Sequence, residues 1–295
     1  MENIDVAVIG GGPGGIAAAV QLRRSGLGVV LYEATRLGGL LWNARRVDNY
    51  PGFPGGVAGP ALAGLLAEHV AAAGVTVRAA EVRTLDYDGS RFIIEDAGGA
   101  AAARAAVVAS GTKPKTFADV TVTPEVWDRI RYDVVGLREE RGRKFVVVGG
   151  GDAAFDYALT LAANNEVVIL NRGPAKKCLP ALGAEAAATS AIRYCANARI
   201  TALASRGGGV AVAYDTPTHS AESLADYVVF AIGREPASEF LAPQLVEKRR
   251  ELETAGILHF IGDVKNGRFR QTAIAAGEGV AAGMALAARL GEARP

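Results

Sequence analysis

The chain has 295 residues, enough for two domains at roughly 150 residues each, and half of them are hydrophobic, so it buries a substantial core and is not intrinsically disordered. Its 32 basic and 31 acidic residues leave a net charge of +1, which gives no support to a nucleic-acid partner or a polybasic membrane anchor. Glycine is the outlier, with 37 residues, well above the average share of about 7%, and no collagen-like period absorbs them.

Met1-Glu2-Asn3 leads directly into an apolar, strand-like run at 4–9 without a basic lead, so no signal peptide is expected. The longest apolar stretches carry charges or glycines and stop short of ~20 residues, so no membrane span is expected and a cytoplasmic location follows. Next come Gly10-Gly11-Gly12-Pro13-Gly14-Gly15, an alanine-rich helix to about Arg24, and a second apolar run at 29–32 ending on Glu33. Short β-like runs follow at 75–78, 91–95 and 106–109, the last closing on Ser110-Gly111-Thr112-Lys113-Pro114. The plan then repeats as an apolar run at 145–148, Gly149-Gly150-Gly151-Asp152-Ala153-Ala154, a helix to about Ala163 and a run at 167–170. Three more β-like runs, at 198–203, 210–214 and 226–231, close on Ile232-Gly233-Arg234-Glu235-Pro236. A last apolar run ends in Gly262-Asp263, before an alanine- and glycine-rich helix from about Gln271 to Arg289.

The repeated strand, glycine turn, helix, strand is the plan of a dinucleotide-binding βαβ unit. Gly10, Gly12 and Gly15 form G-x-G-x-x-G, and Gly149, Gly151 and Ala154 form G-x-G-x-x-A. The first glycine permits the tight turn, the second lets backbone approach a pyrophosphate, and the third position lets helix and strand pack closely. Phosphates then lie at a helix N-terminus, where free N–H groups and the positive end of the dipole favour anions. The fold class is therefore α/β, with two Rossmann-like dinucleotide-binding domains. If the run at 258–261 rejoins the first sheet, the second domain is inserted in the first: residues 1–113 and 235–295 against residues 114–234. Gly111 and Gly233, each just before a proline-containing stretch, mark the candidate hinges.

The ends of the two second strands differ. Glu33 suits ribose hydroxyls of an adenosine without a 2′-phosphate. Asn171 stands in the corresponding place of the second copy, followed by Arg172 and Lys176-Lys177, which tolerates a 2′-phosphate and favours NADPH over NADH; the alternative is a solvated basic loop. Cys178 and Cys195 are the only cysteines, and their spacing fits neither a disulfide framework nor a zinc site. They are read as ordinary thiols, with a redox pair as the alternative; Lys176 and Lys177 beside Cys178 would lower its pKa. His69, His219 and His259 have no companion ligand at metal spacing, so no metal is expected.

Gly10 to Gly15, Glu33 with Leu37-Gly38-Gly39, Asp48-Asn49-Tyr50-Pro51-Gly52-Phe53, and Ile261-Gly262-Asp263 with Arg270-Gln271 resemble the low-molecular-weight thioredoxin reductase group of two-dinucleotide flavoproteins over nearly the whole chain. The resemblance implies FAD in the first domain, a nicotinamide nucleotide in the second, and a homodimer. With the motif readings it makes Gly10, Gly12, Pro13, Gly14, Gly15, Glu33, Gly39, Asn49, Gly111, Gly262, Asp263, Arg270, Gln271 and Thr272 the expected FAD residues. Those expected for NADPH are Gly149, Gly151, Asp152, Ala153, Ala154, Asn171, Arg172, Lys176 and Gly233.

Members of that group that reduce thioredoxin carry Cys-x-x-Cys a short way before the second glycine motif. Here the window reads Tyr132-Asp133-Val134-Val135, and residues 1–177 hold no cysteine. The thioredoxin reductase-like ferredoxin-NAD(P)+ reductases also lack the dithiol and share a Gly-Gly-Gly-Asp start similar to Gly149–Asp152, though they usually carry a tail past the last helix. The expected activity is FAD-dependent NAD(P)H oxidation, with hydride passing to flavin N5 and electrons onward to ferredoxin, flavodoxin or a small molecule. The alternatives are an NAD(P)H oxidase or quinone reductase, and a non-catalytic flavin or nucleotide sensor. Direct hydride transfer demands no side-chain acid, base or nucleophile, so no catalytic residue is assigned.

Overall fold

The structure is a computed structural model that describes residues 2–291. In chain order the first elements are β1 (Glu2–Ile9), α1 (Pro13–Arg24), β2 (Val29–Glu33), α2 (Gly59–Ala72), β3 (Thr76–Ala79), β4 (Thr84–Tyr87), β5 (Phe92–Asp96) and β6 (Gly99–Val108). Then come β7 (Thr112–Pro114), β8 (Thr121–Val122), β9 (Ile130–Arg131), β10 (Lys144–Val148), α3 (Asp152–Leu161), β11 (Glu166–Leu170), α4 (Pro180–Ala188) and β12 (Ile192–Cys195). The rest is β13 (Arg199–Arg206), β14 (Gly209–Asp215), β15 (Ser220–Ala225), β16 (Tyr227–Phe230), β17 (Arg234–Pro236), α5 (Pro243–Thr254), β18 (Leu258–Phe260) and α6 (Thr272–Gly291). Two compact units result: Met1–Trp42, Arg46–Lys113 and Glu235–Pro295 form one, and Asn43–Arg45 with Pro114–Arg234 the other. The two linking stretches, β7 and β17, form a two-stranded sheet.

The first unit is built on a seven-stranded sheet in which β3, β2, β1 and β6 are parallel neighbours. The far edge of β6 is shared: antiparallel β5 takes Gly99–Ala103, and parallel β18 takes Ala106–Val108. Eight of the ten residues of β6 are alanine, arginine or glycine, so the strand is longer than its valines signal. Alanine's helix propensity is overridden because both faces of β6 are covered. Leu85, Phe92 and Ile94 pack on one face of the sheet, and Ile16, Leu22 and Leu286 on the other. Pro13 at the first turn of α1 and Arg23-Arg24 in its last turn suit that helix's ends, and Gly26 at φ +80 lets the chain turn back.

α6 is 20 residues and, by length and composition, long and apolar enough to cross a membrane. It packs on α1: a side chain at Gly279 would strike the Gly14 carbonyl oxygen, one at Gly283 would lie 2.9 Å from Gln21 Cβ, and Leu286 is fully buried. The two glycines bring the helix axes together.

The second unit repeats the plan. Its parallel sheet runs β12-β11-β10-β16-β9, with β10 between β11 and β16 as β1 lies between β2 and β6. A four-stranded sheet, β15-β14-β13-β8, sits with it, and Leu203, Val212 and Phe230 share a core. The architecture is thus mixed α/β, with two Rossmann-type units and the second interrupting the first in sequence.

Candidate functional site

In each unit the strand order reverses at the glycine-bearing strand, which creates the crevice beyond the strand ends where open α/β sheets bind ligands. The two turns are built alike. Gly10 has φ +105 and any Cβ there would run into the Ala109 carbonyl oxygen just past β6; Gly149 has φ +149 and would meet the Ala231 carbonyl oxygen just past β16. Only glycine meets both demands. Gly15 is as tightly placed against the Gly10 carbonyl, whereas the second copy has room for Ala154. Gly12 and Gly151, the N-caps of α1 and α3, face open space, and neither helix has a side-chain cap.

Around the first turn, Gly11 N–H donates to Glu33 Oε2 at 2.7 Å, and Thr35 N–H donates to Oε1 at 2.8 Å. Glu33 thus sits beside the turn, each oxygen keeping acceptor capacity for ribose. Gly38 N–H donates to the Gly11 carbonyl at 2.8 Å, and a Cβ on Gly39 would lie 3.1 Å from Gly12 Cα, so the Leu37–Gly39 loop closes one side. Pro13 and Gly14 open α1, and Gly14 backs onto the Ala275 carbonyl. Ile261 N–H donates to the Val108 carbonyl at 3.0 Å, which brings Gly262 and Asp263 to the same sheet end. Gly262 N–H and Asn266 Nδ2 both donate to Glu278 Oε2, at 2.6 and 2.9 Å. Asn49 Nδ2 donates to Gln271 Oε1 at 2.8 Å, joining two expected residues 222 positions apart. Arg270 precedes them half-buried, and Thr272 begins α6. Gly111 has φ +67 and accepts the Ala237 N–H at 3.1 Å.

A cavity of about 480 Å³ opens between Gly10, Glu33, Val82, Ser110, Ala237 and Phe240. None of the last four was expected as a binding residue, Ser110 having been read only as part of a hinge stretch. They come from three loops, Ala237 and Phe240 sharing one, and have no motif; only the strand order brings them to Glu33.

In the second unit Asn171 is buried, and its carboxamide is committed to the loop: Nδ2 donates to the Ala175 carbonyl at 3.0 Å and Tyr194 Oη at 2.9 Å, while Oδ1 accepts the Gly173 N–H at 3.1 Å. It shapes the Arg172–Lys177 loop. Arg172 is exposed, and Lys176 Nζ lies over the Tyr194 ring, 5.1 Å from its centre. Lys177 N–H donates to the Gly150 carbonyl at 2.7 Å and Leu179 N–H to Asp152 Oδ1 at 2.7 Å, so this loop folds back over the glycine turn. Ala153 lies exposed on the first turn of α3. Gly233, at φ +110, accepts the Lys115 N–H at 3.0 Å.

Cys178 and Cys195 are both free and half-buried. Burial, with Asp152 adding to it, pushes the Cys178 thiol up, against the expectation that its lysine neighbours lower it. Lys176 acts in the expected direction but is the weaker influence; its ammonium lies over the aromatic rings of Phe155 and Tyr194. Tyr132 is raised by burial, and Val134 is buried with its N–H on Asn43 Oδ1 at 3.0 Å.

Two dinucleotide-type turns at two sheet switch points define a two-nucleotide oxidoreductase architecture. A family model for pyridine nucleotide-disulphide oxidoreductases matches residues 4–279, and the chain belongs to that family. It is 28% identical over 291 residues to the thioredoxin reductase of Bacillus subtilis strain 168, covering 93% of this chain and 91% of that one. It is 27% identical over 293 residues to the bifunctional thioredoxin reductase/thioredoxin of Mycobacterium leprae strain TN, spanning 94% of this chain and 64% of that one. The T. acidophilum thioredoxin reductase superposes with a TM-score of 0.85 at 26% identity, over 98% and 99% of the two chains. The protein is an oxidoreductase of thioredoxin reductase-like fold.

Proposed function

We propose that the chain is an FAD-dependent NAD(P)H oxidoreductase whose electrons leave without passing through a cysteine pair. The observation that carries this is the duplicated turn, two glycine-bearing strands each pressed against the carbonyl after its neighbouring strand, in a chain whose only cysteines are Cys178 and Cys195. A bound flavin would supply the hydride chemistry, accepting from a nicotinamide at N5.

The residues present suit both nucleotides. At the first turn the uncapped N-terminus of α1, with no acid in its first turn and open space at Gly12, suits a pyrophosphate. The Gly11 N–H on Glu33 supports its reading as the ribose acid, and the Asn49–Gln271 bond with the Gly262-Asp263 turn supports these as the flavin-half residues. Residues 1–113 and 235–295 make up this FAD domain, and residues 114–234 the nicotinamide domain. There Gly151 has open space as well, and Asp152 is held by the Leu179 N–H rather than aimed at the turn. Arg172, Lys176 and Lys177 supply cations and no acid, which favours NADPH. What the chain itself contributes is binding, orientation and exclusion of water.

Relatives named thioredoxin reductases make thioredoxin the acceptor to test first. Tyr132-Asp133-Val134-Val135 supplies no sulfur, and the raised Cys178 thiol is a poor nucleophile at neutral pH. An acceptor that takes electrons directly from flavin, such as ferredoxin, flavodoxin or a small molecule, fits this better. NADPH-dependent turnover with each acceptor, in the wild type and in Cys178→Ser/Cys195→Ser, tests it. The reading expects cysteine-independent turnover with a direct acceptor and none with thioredoxin; thioredoxin reduction abolished by the serines would overturn it.

A further inference from the structure

At the amino ends of the first unit's parallel strands, away from the glycine turn, lies a second cavity of about 410 Å³. Arg23, Arg91 and Arg104 line it with Asp5, Ile4 and Val30. Its floor is irregular in a specific way. Ile4 and Ala103 pair across β1 and β6 on one face of the sheet, but the next pair, Val6 and Ala105, faces the other side, and Ala7 and Ala106 return. The side-chain alternation slips at Asp5 and Arg104 in both strands on the same rung. Asp5 and Val6 N–H groups both donate to the Gly28 carbonyl, at 3.1 and 3.0 Å, as in a β-bulge. Asp5 and Arg104, from this irregular rung, both line the cavity.

Asp5 is held there by Arg104 Nη1 at 3.0 Å and by the Gly28 N–H at 2.9 Å. Arg23 reaches the cavity from the last turn of α1, and Arg91 from the start of β5, where it also faces Asp88. Three arginines thus line a cavity that holds one carboxylate, beside the apolar walls of Ile4 and Val30. Guanidinium forks match the oxygens of phosphate, and the volume lies in the range of small-molecule sites.

We propose that this cavity is an anion site, separate from both dinucleotide turns, for a phosphate-bearing small molecule. Arg23 and Arg91 contact the phosphate, and Arg104, fixed by Asp5, completes the cationic wall.

The test is calorimetric titration of the flavin-loaded protein, saturated with NADP+, with inorganic phosphate and with AMP. It is run on the wild type and on Arg23→Gln/Arg91→Gln, the first exposed, the second half-buried and both outside the dinucleotide turns. Saturable binding that weakens about tenfold or more in the double variant, with flavin reduction by NADPH unchanged, upholds the site. Tighter AMP than phosphate assigns it to a nucleotide, and equal affinity to the free ion; both uphold an anion site. No binding of either probe, or equal affinity in wild type and variant, overturns it.

Discussion

Gly12 and Gly15 belong to one motif but have opposite environments, so they separate binding from packing. A methyl group at Gly12 enters open space, whereas at Gly15 it collides with the Gly10 carbonyl. Gly12→Ala is expected to keep near wild-type thermal stability and lose flavin affinity, and Gly15→Ala to lose about 1–3 kcal/mol of stability or more, read by denaturant unfolding beside flavin content. The motif was legible because its spacing is local. Asn171 was legible only as a missing acid; that its amide is consumed by Ala175, Gly173 and Tyr194 depends on contacts no spacing encodes. His259 offers a pH test. Burial, with Lys265 nearby, lowers its pKa below the ordinary 6.5, while the Gly256 backbone and Glu253 oppose this. Its buried Nε2 has no hydrogen-bond partner. Between the lowered folded value and about 6.5 the unfolded chain binds more protons, so stability is full above that window and falls as pH drops through it. Unfolding midpoints measured across that range should show the loss in the wild type and a flatter profile in His259→Gln.

The crossing of α1 and α6 is where glycine serves helix packing instead of a ligand. Gly279 abuts the Gly14 carbonyl, so the last helix presses on the turn at the start of α1. Gly279→Leu is expected to cost about 1–3 kcal/mol and to lower flavin content together with stability, because the turn moves when the helices are forced apart; parallel thermal and flavin-release curves check this. The last helix was legible from its composition, to within two residues at each end. β6 was read only at 106–109, whereas it spans Gly99–Val108, since a run of alanines carries no strand signal until both faces are seen to be covered. β15, Ser220–Ala225, was missed for the opposite reason: its alternating exposed and buried serines, alanines and glutamate look like a loop until paired with β14.

Over the whole chain, the two turns, their matched carbonyl contacts and the interruption of one unit by the other make a single duplicated architecture. It was foreseeable because each copy announces itself with three glycines. The acceptor is encoded differently, by what would surround a bound flavin and by where the cysteines lie, and Cys178 and Cys195 fall on the second unit. The central claim is that this duplicated fold passes hydride from a nicotinamide nucleotide to a flavin with no help from sulfur. Anaerobic titration of the flavin-loaded protein with NADPH and with NADH, following loss of flavin absorbance in the wild type and in Cys178→Ser/Cys195→Ser, tests it most directly. The account predicts stoichiometric bleaching at lower NADPH than NADH concentration, identical in the two proteins. A flavin that stays oxidised, or bleaching that disappears with the cysteines, would contradict it.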